Sequence, residues 1–594
     1  MNIKTKLNNL LSNLNISVLR YPVTILSLII LSIFNSVNIE SYNDSNEFII
    51  ISLIVSAFLS LVVQSFYEKY NLENKTRWIL YGASTAVSFI YYILIKQSQN
   101  DVQLYTKTLV LIFILLLLFL LIPSIKSSIN YNQSFLAFFK ASFLSYFYAI
   151  IILIGTYLII AAIDTLIVSI DYTAYAHLAN IIFVIFSPIY LLSLIPFYPS
   201  VSKDKIEDTN NEKLEKAIEC PKFLNVLISY ILIPIISIFT IILIIYLVGN
   251  IGEKFWTDTA LEPMLISYSI SVLIIYILAS NIKNNFTKLF QMIFPKVLIP
   301  IVLLQTIASI IKINENGITY GRYYVILFGV FATIAGVLFS IIDIKKNGIV
   351  IAVLIVLATI SITPPVDAFT ISKSSQIRIF ESVLNKNNML ENNKIIANSN
   401  ISEDDKEIIR NSIQYIYYMK YYKEIEYLSD MENQYNDFEN TFGFKRYFES
   451  EVSNNYYYVD KYLIENSFID LEDYNSLAKF EIYTRESGMY ENRQIIINGK
   501  TYYFDLSHIN IDHTIDIREE NNDLLISFKL NDLYDEEKDS SNSNKQYEMD
   551  IDEASTIFEN EKIKVKIIVE RLFVTLYEND KADNYKFDAL LKIK

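Results

Sequence analysis

The sequence predicts a membrane-embedded all-α bundle of about eleven transmembrane helices, followed by a water-soluble, acidic α+β domain with antiparallel β-sheet. Three observations predict it. Apolar runs of about 20 residues recur through the first 365 positions, each long enough to cross a ~30 Å hydrocarbon core as a helix. Charge is divided, with 23 Lys+Arg and 19 Asp+Glu in residues 1–365 but 27 and 45 in residues 366–594. The apolar spacing also changes after Pro365, first to a helical period and then, from about Lys479, to alternation. With 52% hydrophobic residues the chain is too apolar for an ordinary soluble enzyme, and its 19% charged residues are too many for membrane helices alone. The expected division is a multi-pass domain over 1–365, a mainly helical subdomain over 366–478 and a β-rich subdomain over 479–594.

The spans are expected near 22–38, 48–66, 78–95, 108–125, 141–168, 175–197, 223–248, 263–282, 292–312, 323–342 and 347–363. The first follows Lys4, Lys6 and Arg20 and has no small-residue cleavage site after it, so it reads as a retained helix. Orientation follows from the basic residues, because basic loops resist translocation. With a cytoplasmic amino terminus, 18 of the 23 Lys and Arg fall inside; only Lys96, Lys107, Lys254, Lys312 and Arg322 fall outside. An odd number of spans then puts the C-terminal domain outside the cytoplasm. Its acidic balance excludes nucleic acid as a partner and leaves an envelope protein, a glycan or a cation.

Ionisable residues within spans are where transport chemistry is sought, since an unpaired charge is costly there. Asp164 is the one acidic residue well inside a span, and His177 opens the next helix at the same level. They form a candidate intramembrane polar pair for protons or cations, to be weighed against an interfacial carboxylate reached by water. Pro188, Pro196, Pro234 and Pro300 lie in spans, where proline opens helices at transporter sites and also occurs for structural reasons. Ala332 and Gly336 form a small-xxx-small helix contact.

The loop from Lys312 to Tyr324 joins two spans and contains Gly317-Ile318-Thr319-Tyr320-Gly321-Arg322, while Pro364-Pro365 closes the last span ahead of Ser372-Lys373-Ser374-Ser375-Gln376. Glu315, Tyr320 and Arg322 from the loop, with Lys373 and Arg378 beyond the last span, form a candidate interdomain docking joint at one level. These stretches, together with Leu19-Arg20-Tyr21-Pro22, Pro221-Lys222-Phe223-Leu224 and Asp588-Ala589-Leu590-Leu591-Lys592-Ile593-Lys594, resemble an uncharacterised bacterial multi-pass membrane family known only as a domain of unknown function, DUF4153. An aromatic residue expected after Pro364 is replaced by Val366 or displaced to Phe369. The resemblance implies no activity and no functional residues.

In the tail, Ser402-Glu403-Asp404-Asp405 reads as a helix start, with Ile408, Ile409, Ile413 and Ile416 at helical spacing to about Leu428, and more helix before Gly443. Gln494 to Phe504 reads as a hairpin closed by Asn498-Gly499, and further strands fit 514–518, 524–530, 563–577 and 585–593. Asp532 to Asn544 reads as a loop. Catalytic motifs are missing: there is no phosphate-binding glycine loop, no nucleophile elbow and no zinc pattern, and Cys220 is the single cysteine. His508 and His513, five apart, fall on opposite strand faces. Asp550 and Asp552 share a strand face and could bind a cation or simply be a solvated acidic face; Tyr456-Tyr457-Tyr458 could stack on glycans or pack a sheet. No catalytic, cofactor or metal residue is assigned. The expected function is an envelope scaffold or sensor, more a binder than an enzyme; the alternative is a transporter or lipid-handling permease.

Overall fold

The structure is a computed structural model, describing residues 14–41, 46–98, 100–200, 208–250, 261–428, 437–446, 456–464, 469, 471, 474–483, 493–497, 499–505, 514–533, 545–577 and 580–594. The chain folds into two compact units, Met1–Arg446 and Tyr447–Lys594. Among the described residues of the first, eleven helices are long and apolar enough to cross a membrane: Pro22–Ser41, Glu47–Tyr70, Asn74–Lys96, Asp101–Ser124, Tyr131–Leu166, Thr173–Leu194, Asn211–Gly249, Glu262–Ala279, Asn285–Ile313, Tyr320–Ile341 and Ile344–Ile362.

Their boundaries have local causes. Asn130 and Gln133 cap each other reciprocally, so the fifth helix starts ten residues before its apolar run and reaches 36 residues. Asn284 and Thr287 do the same for the ninth. The sixth and seventh helices each carry a wide π-helical stretch, Ile181–Phe186 directly before Ser187-Pro188 and Leu227–Leu232 directly before Ile233-Pro234. Proline has no N–H to give and its ring crowds the carbonyl four residues back; the wider turn removes that clash without breaking the helix. Gly336 meets the neighbouring span as its small-xxx-small spacing predicts, because a Cβ there would lie 2.8 Å from Ile299 Cγ1 and 2.9 Å from the Pro295 carbonyl oxygen.

The packing boundary falls at 446, well beyond the last span. Helix Ala368–Lys386 packs Phe380, Val383 and Leu384 against Ile409, Ile413 and Ile416 of helix Glu403–Tyr418, and Tyr320, Tyr323, Tyr324 and Val102 from the spans join the same core. Ser402 caps the second helix by accepting from the Asp405 amide at 3.2 Å. That helix stops at Tyr418, short of the expected Leu428; two short 3-10 turns, Tyr421–Glu424 and Glu426–Leu428, follow.

The second unit contains two sheets. One is a four-stranded meander, Arg493–Ile497, Lys500–Asp505, Thr514–Glu519 and Leu524–Lys529, and its first turn places Gly499 at φ +79°, where a Cβ is disfavoured. The other is built on the long antiparallel pair Ile563–Tyr577 and Asp580–Ile593, flanked by Tyr456–Leu463 and Ser476–Tyr483. Ser555–Glu559 pairs with Ile563–Tyr577, and Lys545–Met549 adds a parallel edge to Tyr456–Leu463. The strand at Tyr456 departs from the mainly helical reading of 366–478: its partner in the sheet lies more than a hundred residues on, and local spacing does not register that pairing. Phe480 joins the two sheets, its ring centroid 4.9 Å from Phe504 and 5.2 Å from Phe587.

Candidate functional site

A joint forms in the first unit where the chain leaves its last span. Asp367 is fully buried and caps helix Ala368–Lys386, accepting from the amides of Phe369 at 3.1 Å and Thr370 at 3.3 Å and from the Thr370 hydroxyl at 2.6 Å. Its carboxylate also meets the Lys107 ammonium at 3.0 Å, so the fourth span holds the start of this helix. Burial works against ionisation of Asp367, but the Thr370 hydroxyl, Lys107 and the Thr370 amide outweigh it and hold the carboxyl below the usual aspartate range. Beside it Asn100, at the start of the same span, donates to the Met419 carbonyl at 2.6 Å, and Asp101 pairs with Lys420 at 2.9 Å.

The loop between the ninth and tenth spans meets the same helix. The Ile318 amide donates to Ser375 Oγ at 3.0 Å, and Gln376 Nε2 donates to the Ile318 carbonyl at 3.3 Å. Tyr320 stacks on Phe369 at 5.4 Å between centroids, its amide donates to Tyr415 Oη at 3.0 Å, and Tyr323 Oη donates to the Val366 carbonyl at 2.7 Å. Gly317, at φ +72°, permits this approach; a Cβ there would lie 2.6 Å from Ile379 Cδ1.

The residues singled out from sequence take different places in this joint. Tyr320 lies in it. Arg322 turns back on its own loop, its Nη1 donating to the carbonyls of Lys312 at 3.0 Å and Gly317 at 3.2 Å, and so closes the end of the preceding helix. Lys373 pairs with Glu424 at 2.5 Å and lies over the Tyr421 ring, within the helical segment rather than against the loop. Arg378 is exposed and lines a cavity with Lys373, Phe369, Tyr421 and Gln103. The Glu315 side chain lies outside the described residues. Lys107, Asp367, Asn100 and Ser375 were not singled out: Lys107 reads in sequence only as one of five basic residues at its end of the bundle. Asp367 directly ahead of a helix was the available signal.

Asp164 and His177 do not meet. The Asp164 carboxylate accepts from the Ile170 amide at 2.7 Å, capping the turn that ends its own helix, and His177 Nε2 pairs with Glu40 Oε1 at 2.6 Å. The polar pair is therefore corrected: both residues are spent on separate local contacts at the ends of their helices.

At the opposite end of the bundle lies a buried charged network that composition alone does not reveal. Proline ends the sixth span and leaves the carbonyls of Ile195 and Pro196 bare; Arg20 donates to them at 2.7 and 3.0 Å. The same guanidinium grips Glu68 with two bonds of 2.7 and 2.6 Å and lies 3.9 Å from the Phe197 ring centroid. Gln64 donates to Glu68 at 2.6 Å and accepts from Arg77 and Tyr81 at 3.0 and 2.8 Å. Lys69 donates to the carbonyls of Pro123 and Pro199 at 3.2 and 3.3 Å.

In the second unit Glu570 accepts from Lys479 and Lys586, each at 2.8 Å, and these two lysines hold its carboxyl below the usual range. Asp550 and Asp552 do not share a strand face: strand Lys545–Met549 has ended, and Asp550 Oδ1 caps a turn by accepting from the amides of Asp552 and Glu553 at 3.0 and 2.9 Å. His508 and His513 lie outside the described residues, as do the side chains of Tyr456, Tyr457 and Tyr458. Among the described residues no three His, Cys, Asp or Glu side chains are grouped to hold a metal ion.

Eleven apolar helices with an appended α+β region define a multi-pass integral membrane protein, whose environment is a lipid bilayer. Within that class, the chain belongs to the family described as Domain of unknown function (DUF4153), whose match covers residues 23–390 and so takes in the spans, helix Ala368–Lys386 and the Lys107, Ile318, Asp367 and Ser375 side of the joint, while Tyr415, Met419 and Lys420 lie beyond it. The Asp588–Lys594 segment lies beyond that match. No curated protein and no solved structure gives a significant match.

Proposed function

We propose that this membrane protein is a bacterial cell-envelope scaffold or sensor, with a cytoplasmic amino terminus and an acidic C-terminal domain displayed outside the cytoplasm to an envelope protein, a glycan or a cation. The observation that carries this reading is the joint: the helical segment after the last span is fastened to two parts of the bundle, to the fourth span by Asp367–Lys107 and Asn100–Met419 and to the loop between the ninth and tenth spans by Ser375–Ile318. Such multiple attachment suits a fixed platform, and events on the appended segment would be felt by the spans through a short, stiff path. The orientation is supported by the basic residues: 18 of the 23 Lys and Arg in residues 1–365 belong to the sequence segments that a cytoplasmic amino terminus assigns to the inside. The divisions at 365 and 478 stay with this proposal as divisions by solvent and by secondary structure.

A second reading, a transporter or lipid-handling permease, draws on the π-helical stretches in two consecutive spans, since such stretches often occur at functional sites. Two experiments decide. Alkaline phosphatase fused after Lys594 should be active, and a fluorescent protein dark; the reverse pattern rejects the display. The full chain in proteoliposomes should move neither a fluorescent phospholipid nor protons faster than empty vesicles do. Protein-dependent movement of either would replace the scaffold with the permease.

A further inference from the structure

A cavity of about 590 Å³ opens at the joint, between helix Ala368–Lys386, the start of the fourth span and the turn Tyr421–Glu424, all within the first unit. Helical spacing builds one wall: Ser374, Arg378 and Glu381 follow one another at four and three residues and so share a face. Gln103 lines the cavity from the span and Glu424 from the turn. Its charges balance, Lys373 and Arg378 against Glu381 and Glu424. A lone anion would therefore meet two carboxylates, and a lone cation two basic groups. The four differ in what they already hold. Lys373 is spent on Glu424 Oε2, and Glu381 Oε1 accepts from Tyr427 at 2.9 Å. Each carboxylate keeps its second oxygen without a partner among the described residues. The Arg378 guanidinium, the Gln103 side-chain amide and the Ser374 hydroxyl have none among them either. An open fork of donors thus stands one turn from an open carboxylate oxygen on the same helix face.

We propose that this cavity binds a small soluble zwitterion of the α-amino acid class. The ligand's carboxylate takes the two-pronged grip of Arg378, and its ammonium donates to the open oxygens of Glu381 and Glu424. Gln103 has both a donor and an acceptor to offer the two ends. A phospholipid head carries the same pair of charges, but it brings acyl chains that need a long apolar wall. The apolar lining here is Ile377 with the buried rings of Phe369 and Tyr421, enough for a side chain and too little for a lipid tail. Such a ligand touches the span and the appended segment at once, so its binding tightens the joint. The inference rests on the geometry of the joint and stands apart from the scaffold or sensor reading.

The test uses the full chain in a neutral detergent, with the twenty common α-amino acids added singly and glycerophosphoethanolamine as the lipid-head probe, read by thermal midpoint and calorimetric titration. At least one amino acid is expected to bind and raise the midpoint, while its deaminated and decarboxylated analogues bind about tenfold more weakly or worse. Arg378→Gln should weaken the amino acid about tenfold and leave the unliganded midpoint unchanged, because that side chain is exposed and makes no contact to lose. Glu381→Gln keeps an acceptor for Tyr427, and should weaken the amino acid while leaving the deaminated analogue where it was. Binding by none of the twenty, equal binding of either analogue, unchanged affinity in either variant, or tighter binding of glycerophosphoethanolamine each overturns the proposal.

Discussion

Replacing Lys107 by Met tests whether an ion pair fixes the joint after the last span. Removing one partner of a fully buried pair costs about 3–5 kcal/mol, whereas exposed pairs are worth about 0–1 kcal/mol. Here Asp367 is fully buried and the Lys107 side chain keeps 22% exposure. Asp367 would also retain its bonds from Phe369 and Thr370. The loss should therefore be intermediate, about 2 kcal/mol, equivalent to roughly a 30-fold fall in protection of the amides early in helix Ala368–Lys386. Asp367→Asn keeps a capping side chain and removes the charge, and should cost about 1–2 kcal/mol. The assay is hydrogen exchange on the full chain in nanodiscs for wild type, both single variants and the double variant. Coupling predicts that the double variant loses about 1–2 kcal/mol less than the sum of the singles. Strict additivity, or unchanged protection in Lys107→Met, would refute the reasoning. Acid supplies a second check with a defined sign. The folded Asp367 carboxyl titrates below its ordinary value of 3.8, so its contribution is complete above that value and lost as pH falls through the lower, folded one.

Gly317→Ala should destabilise the loop by about 1–3 kcal/mol, through a positive φ and a clash with Ile379, seen as faster proteolysis between the ninth and tenth spans. Arg322→Ala removes two bonds to carbonyls of its own loop and should cost about 1–2 kcal/mol, with exchange rising at residues 317–322 more than near Pro365. Arg20→Lys keeps the charge but cannot make the two-pronged grip on Glu68, and should lower the thermal midpoint of the full chain by the equivalent of about 2–3 kcal/mol. Glu570→Gln should flatten the acid limb of unfolding of the β-rich unit below pH 4.5, because the folded carboxyl titrates below that ordinary value and its support disappears as pH falls through it.

The spans were legible because a hydrocarbon solvent leaves only one answer to 20 apolar residues, and the meander because Asn498-Gly499 and strict alternation fix a hairpin locally. What escaped was whatever depends on a partner far along the chain. Asp164 and His177 stand at one level in a linear reading, yet their partners are Ile170 and Glu40. Asp367 looks like a cap in the sequence, and the structure adds Lys107 from seven spans earlier. Arg322 reads as a docking cation because it stands in the right loop, whereas the carbonyls at the end of the preceding helix hold it more directly. Arg20 lay within a recognised stretch, but nothing in one sequence says that a proline break in the sixth span needs its guanidinium.

The fifth helix carries a further consequence. At ~1.5 Å per residue its 36 residues measure roughly 54 Å, against a hydrocarbon thickness of ~30 Å. Lying entirely within the bilayer would require an inclination of about 56°, beyond the ~40° that spans ordinarily reach. Part of this rod must therefore stand clear of the oil. Its apolar run begins near residue 141, so the first ten residues, Tyr131 to Lys140, are the natural overhang. The Lys140 ammonium, which donates to the carbonyls of Lys216, Ala217 and Glu219, would then sit among lipid phosphates and water, making the fifth helix a depth gauge that sets how far the basic end rises from the membrane surface.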